Sequence, residues 1–117
     1  MTTYLCNVFT TAMLDPHGAW TYHFEPNTLE DARAHLEKGF VQAVGHPATC
    51  EVLSARLGLD VRPVRANVKL EWGDDLIVAQ IVIPRLPEGE VLTKEQVDAC
   101  SIQFWHVLDE EGIKGEN

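Results

Sequence analysis

Basic side chains are scarce in this chain: 9 Lys and Arg stand against 18 Asp and Glu in 117 residues, a net charge of −9. That balance excludes broad, non-specific binding to nucleic-acid polymers, which depends on many cations neutralising phosphates. It leaves room for a small anion held in a focused cleft by two or three arginines and backbone N–H groups. Cysteine is sparse as well. Cys6, Cys50 and Cys100 are odd in number, widely spaced and set among apolar neighbours, so they read as reduced core thiols and not as a disulfide framework or a zinc site. No apolar run approaches the length of a membrane span, and Met1-Thr2-Thr3-Tyr4 carries no basic cluster, so a cytoplasmic protein is expected. Neither Gly-x-x-x-x-Gly-Lys-Ser/Thr nor Gly-x-Gly-x-x-Gly occurs, which leaves a nucleoside triphosphate or dinucleotide cofactor without support, and there is no Gly-x-Ser-x-Gly. His17, His23, His35 and His106 show no paired spacing and no nearby cysteine pair; they read as non-ligands, with no metal and no cofactor expected.

What is present is the punctuation of one compact domain. Leu5 to Phe9 is a short apolar run fit for a buried first strand, interrupted by Asn7. After the turn cluster Asp15-Pro16-His17-Gly18, the aromatic-rich stretch from Ala19 to Phe24 predicts a second strand at a sheet edge, ending before Pro26. Thr28-Leu29-Glu30-Asp31 is a capped helix start, with the stripe Leu29, Ala32, Leu36 and Phe40 at helical spacing and Gly39 at its end. Val64 to Trp72 alternates in part and meets the turn Gly73-Asp74-Asp75. The nearly unbroken apolar run from Leu76 to Ile83 follows, so a hairpin feeding a central, doubly covered strand is expected. Pro84 and Pro87 stiffen a loop, Thr93-Lys94-Glu95-Gln96 is a capping box, and Ile102 to Leu108 is a last strand. The pattern predicts an α/β fold, a mixed and mostly buried β-sheet flanked by short helices over residues 1–108. Asp109, Glu110, Glu111 and Glu116, with Gly112 and Gly115, mark 109–117 as an acidic, solvated tail.

The chemistry concentrates around Gly45-His46-Pro47-Ala48-Thr49-Cys50. Proline suits the first helical position and biases the residue before it away from helical angles, so His46 is expected at the N-cap, or one step outside it, of a short helix that Gly58 stops. Exposed N–H groups and the positive end of the helix dipole make that terminus an anion site, and an imidazole there could face a bound phosphate. Asn7 with Thr10, and Arg85 with Glu88, stand at the ends of other apolar elements, where a scaffold presents functional side chains. Together the set suits metal-free transesterification of a phosphodiester. A ribose 2′-hydroxyl attacks in line, His46 protonates the departing 5′-oxygen, Arg85 stabilises the phosphate oxygens, and Glu88 orients or deprotonates the nucleophile. Arg65 could reach a second phosphate. Taken singly, each residue has a plainer reading: His46 as a simple helix cap, Arg85 and Glu88 as a surface ion pair, and Arg62 and Arg65 as solvent-facing partners of acidic side chains.

Three ordered segments resemble the small viral anti-CRISPR ring nucleases that act against type III systems, a family also found as standalone or fused bacterial proteins. They are Tyr4-Leu5-Cys6-Asn7-Val8-Phe9-Thr10 with Met13-Leu14, then Val44-Gly45-His46-Pro47-Ala48-Thr49, then Gly73-Asp74-Asp75-Leu76 through Gln80 to Arg85-Leu86-Pro87-Glu88-Gly89. The resemblance implies a homodimer enclosing cyclic tetra-adenylate and cleaving it without metal into linear oligoadenylates that end in 2′,3′-cyclic phosphate, which switches off type III CRISPR signalling. It places the catalytic acid on His46, further catalytic roles on Arg85 and Glu88, and ligand contacts on Asn7, Thr10, Gly45, Arg65 and Arg85. Thr10 replaces a usual serine, and Val64 stands where an asparagine often precedes the arginine. Two copies of Arg65, Arg85 and the His46 helix start would make a locally positive cavity from acidic subunits. A non-catalytic protein that sequesters or senses a cyclic oligonucleotide would share these residues. A dimeric protein-interaction adaptor would need none of them.

Overall fold

In the computed structural model, which describes residues 2–82 and 92–111, five strands form one mixed sheet in the order β2-β5-β4-β1-β3. The strands are β1 (Thr3–Cys6), β2 (Tyr22–Asn27), β3 (Val41–Ala43), β4 (Asp75–Val82) and β5 (Ser101–Asp109). A 3-10 turn spans Thr11–Met13, and the α-helices among the described residues are α1 (Leu29–Glu37), α2 (Pro47–Leu57) and α3 (Lys94–Ala99). β3, β1 and β4 run parallel, whereas β5 is antiparallel to both β4 and β2. The expected α/β class with a mixed sheet and short helices is the observed architecture.

β4 is the middle strand, and its position explains its composition. Ile77 and Ala79 face a core with Leu5, Leu36, Leu53, Leu57 and Phe104, built where α1 and α2 cover one face of the sheet. Leu76 and Val78 face the other way, into a second core with Cys6, Met13, Val68, Leu70 and Val107. A strand buried on both faces cannot alternate polar and apolar, which is why Leu76 to Ala79 is continuously apolar. The three cysteines are free and buried. Burial raises the Cys6 thiol to about 11, as suits an inert core group.

Local signals hold the helices as read. Thr28 and Asp31 form a reciprocal capping box on α1, and Thr93 and Gln96 form one on α3. α1 stops before Gly39, whose φ of 111° lies in the region where a side chain is strained. α2 ends on Gly58 in the left-handed conformation, and Arg33 closes that end by donating to the Leu57 and Arg56 carbonyls.

Several expectations change. The hairpin of Val64–Trp72 with β4 does not form: β1 occupies one edge of β4 and β5 the other, so no pairing site is left, and residues 61–71 run irregularly, with Val68 and Leu70 buried in the second core. β2 begins at Tyr22 and continues through Pro26 to Asn27, because an edge strand tolerates a residue with no N–H to donate. β1 ends at Cys6, so Asn7 lies just beyond the strand and is not an interruption within it. Asp109, assigned to the tail, is the last residue of β5 and is fully buried, its carboxylate accepting from the Gly73 N–H at 2.9 Å. Glu110 and Glu111 are exposed, and 112–117 lie outside the described residues.

Candidate functional site

Parallel strands deliver their C-terminal ends to the same side of a sheet, and there open α/β folds bind ligands. β1 and β3 are aligned with Cys6 opposite Ala43. The chain therefore leaves β1 at Asn7 and leaves β3 through Val44 and Gly45 to His46, on adjacent strands. β4 points the same way and ends at Val82. Arg85 and Glu88, assigned cation and base, lie outside the described residues.

His46 is the N-cap of α2. Its backbone is extended (φ −102°, ψ 115°), Pro47 is the first helical residue, and the His46 carbonyl accepts from Cys50 N–H at 3.1 Å. Its Nδ1 accepts from the Thr49 N–H, and the Thr49 hydroxyl lies at the same distance, 3.4 Å. A ring whose Nδ1 accepts carries its hydrogen on Nε2, so this cap selects the Nε2–H tautomer. His46 is exposed, whereas Thr49 is buried. The helix start thus holds the ring by one nitrogen and keeps the ring itself accessible.

Arg65 lies against Gly45, the residue before His46. Val64 N–H donates to the Val44 carbonyl at 2.9 Å and ties the irregular segment to the exit from β3. A Cβ on Gly45 would come within 2.9 Å of Arg65 Cγ and 3.6 Å of its Cα, so glycine here provides space for the arginine and not an unusual φ. Other basic residues are committed elsewhere. Arg56 donates to the Val97 and Cys100 carbonyls at the end of α3, Arg62 pairs with Asp60 at 2.8 Å, and Lys69 donates to the Ala12 carbonyl. Arg62 is thus the surface ion-pair partner it was read as. Arg65 makes no ion pair among the described residues.

Asn7 and Thr10 fall on two concavities that share Val8. The larger, about 450 Å³, lies between Asn7, Phe9, Phe24, Gln80 and Trp105; the smaller, about 240 Å³, lies between Thr10, Ala43, Ala66 and Asn67. Ala43 and Ala66 connect the smaller one to the Gly45–Arg65 contact. Gly45 and Arg65 are therefore brought together, His46 follows Gly45 in the chain, and Thr10 lines the cavity that Ala43 and Ala66 also line. No hydrogen bond joins His46 to Asn7, Thr10 or Arg65 among the described residues.

Gln80 was not foreseen as a cavity residue. Its Oε1 accepts from the Trp105 indole N–H at 3.2 Å, which fixes the amide against the aromatic wall. The signal was a lone polar residue in the apolar run of β4. A second unforeseen cluster sits at the opposite end of the sheet. His106 Nε2 and Asp75 Oδ2 are 2.7 Å apart, the Thr3 hydroxyl donates to Asp75, and the His35 and His106 rings lie 4.1 Å apart. Burial alone would raise the Asp75 carboxyl, but the hydrogen bonds from His106 and Thr3 and the fields of His106 and His35 outweigh it and hold it below the usual range. No group of His, Cys, Asp and Glu placed to hold a metal occurs among the described residues. No helix among them is long and apolar enough to cross a membrane.

Other chains are similar to this one in sequence and in fold. Uncharacterized protein 26 of Sulfolobus islandicus filamentous virus (isolate Iceland/Hveragerdi) is 32% identical over 97 residues, 81% of each chain. Uncharacterized protein ORF117 of Acidianus two-tailed virus is 30% identical over 108 residues, 89% of this chain and 90% of that one. The solved structure of B116 of Sulfolobus turreted icosahedral virus superposes with a TM-score of 0.75 over 92% of this chain and 99% of that one; at 24% identity it shows the shared fold. The family model described as STIV B116-like matches residues 3–105, and the chain belongs to that family.

Proposed function

We propose that the protein is a metal-independent ring nuclease that cleaves cyclic tetra-adenylate by 2′-hydroxyl attack, giving linear oligoadenylates with 2′,3′-cyclic phosphate, and so silences type III CRISPR signalling. The observation that carries this reading is the Gly45–His46–Arg65 cluster. It sets an accessible imidazole at a helix start, where anions are favoured, and packs against the preceding Gly45 an arginine with no ion pair among the described residues. The cavity beside Asn7 is large enough for a nucleobase and has aromatic walls on which a base would stack. In the reaction the P–O2′ bond forms as the P–O5′ bond breaks. His46 delivers a proton to O5′, Glu88 or water takes the one from the 2′-hydroxyl, and Arg65 and Arg85 hold the phosphate oxygens. A homodimer would place two such clusters around one cyclic ligand and answer the acidic charge of the subunit.

The test is incubation of the purified protein with labelled cyclic tetra-adenylate in excess chelator, with products separated by chromatography. Linear products ending in cyclic phosphate, with one ligand bound per two chains, are expected. Tight binding with no products would instead favour the sequestering protein, and no binding would favour the adaptor.

A further inference from the structure

The tautomer that the Thr49 N–H favours at His46 is the wrong one for an acid. With Nδ1 accepting from the Thr49 N–H, the ring carries a single hydrogen, on Nε2, and giving that hydrogen away would leave an imidazolate. A proton donor must start as imidazolium, with both nitrogens protonated, and end as the neutral Nδ1–H tautomer. In both of those states Nδ1 is a donor and faces an N–H that cannot accept. The structure supplies one acceptor at the same distance: the Thr49 hydroxyl oxygen, 3.4 Å from Nδ1 on a residue that is only 7% exposed. Both contacts are long, so the ring trades one for the other by a small rotation while α2 stays in place.

We propose that Thr49 is the positioning residue for His46, its backbone N–H holding the ring at rest and its hydroxyl accepting from Nδ1 in the protonation state that cleavage needs. This rests on the cleavage reading above and adds a residue to it. Before cleavage the ring takes a proton from solvent on Nδ1, and Nδ1–H turns to Thr49 Oγ1. Nε2 then gives its proton to O5′ as the P–O5′ bond breaks, and the ring is left neutral with its hydrogen still on Nδ1. Valine would fill the same volume and keep the same N–H, so it removes the hydroxyl alone.

Single-turnover cleavage of cyclic tetra-adenylate, measured in chelator for Thr49→Val, Thr49→Ala and Thr49→Ser, separates these roles. Loss of the hydroxyl is expected to slow cleavage about tenfold, the worth of one hydrogen bond to a charged partner, while serine stays within about twofold and ligand affinity is unchanged. A bridging 5′-thio analogue at the scissile phosphate supplies a leaving group that needs no proton. It should be cleaved by the valine and alanine variants at close to the wild-type rate, as it should by His46→Ala. Equal slowing on both substrates would make Thr49 merely structural and overturn the inference, as would undiminished cleavage of the normal ligand by both hydroxyl-free variants. Failure of the wild type itself to cleave would overturn the ring-nuclease reading first.

Discussion

The two ends of the central sheet use polar residues in opposite ways. At the N-terminal end of β1 and β4, acidic groups are locked into the fold. Asp74 accepts from the Thr2 and Glu71 N–H groups, Asp75 binds Thr3 and His106, and buried Asp109 accepts from Gly73. Tyr22, partly buried near Asp109 and Asp74, has its phenol pushed up to about 12 by burial and by those charges. At the C-terminal end the polar groups are only half held. His46 is fixed through one nitrogen, Arg65 has no ion pair among the described residues, and two concavities open on either side of Val8. One end therefore ties its polar groups into the fold, and the other leaves His46 and Arg65 exposed. Part of the acidic excess of the chain is structural, which leaves the local field at the open end to Arg65 and the helix start.

That contrast predicts separable losses. The largest effect is His46→Ala, which should slow cleavage of cyclic tetra-adenylate by about 10²-fold or more while affinity for the ligand holds, because a proton donor matters most in the transition state. Its cost in stability should be no more than about 1 kcal/mol, the worth of a helix cap, read by denaturant titration. Next, Asp75→Ala at the closed end should destabilise by roughly 2–3 kcal/mol, because buried His106 loses its carboxylate, with the turnover of the folded fraction unchanged. If that variant instead lost activity without losing stability, the division of the sheet into two ends would be wrong.

Gly45→Ala probes the open end by geometry alone. The added methyl must displace Arg65 at its Cγ, so ligand affinity should fall by about fivefold to tenfold, the loss of one well-placed charge contact, as read by calorimetry. The smallest effect is on acid stability. Asp75 is held below its ordinary range in the folded chain, so the unfolded chain takes up the proton first as pH falls. The Asp75 contribution is complete above about pH 4 and is lost as pH drops through the folded value. Denaturant titrations across that interval should show a shallower decline in Asp75→Asn than in the wild type.

Much of the fold was legible because it is written in local chemistry. Thr28 with Asp31, Thr93 with Gln96, Pro47 and Gly58 each mark a helix end through a backbone group that needs a partner, and each does so in the structure. The apolar run of β4 likewise announced a strand covered on both faces. Strand partnership was not legible. Val64 to Trp72 carries enough alternation for a strand, but β1, some 70 residues earlier in the chain, takes the place it would have had. The site divides along the same line. That His46 lies at or next to an N-cap could be read from Pro47, and the structure puts it at the N-cap, whereas the approach of Arg65 to Gly45 depends on how residues 61–65 return across the end of β3. The cluster of Thr3, Asp75 and His106 was missed for the same reason, since its members are joined only by sheet pairing.

The central claim, that the ligand end of the molecule is the C-terminal end of β1 and β3, is tested most directly by mapping amide chemical-shift changes on titration with cyclic tetra-adenylate in the His46→Ala protein. Changes should concentrate at Asn7, Thr10, Gly45, Thr49 and Arg65 and leave Gly73, Asp75 and Asp109 unmoved. Shifts centred on Gly73 to Asp75, or none at all at saturating ligand, would contradict the account.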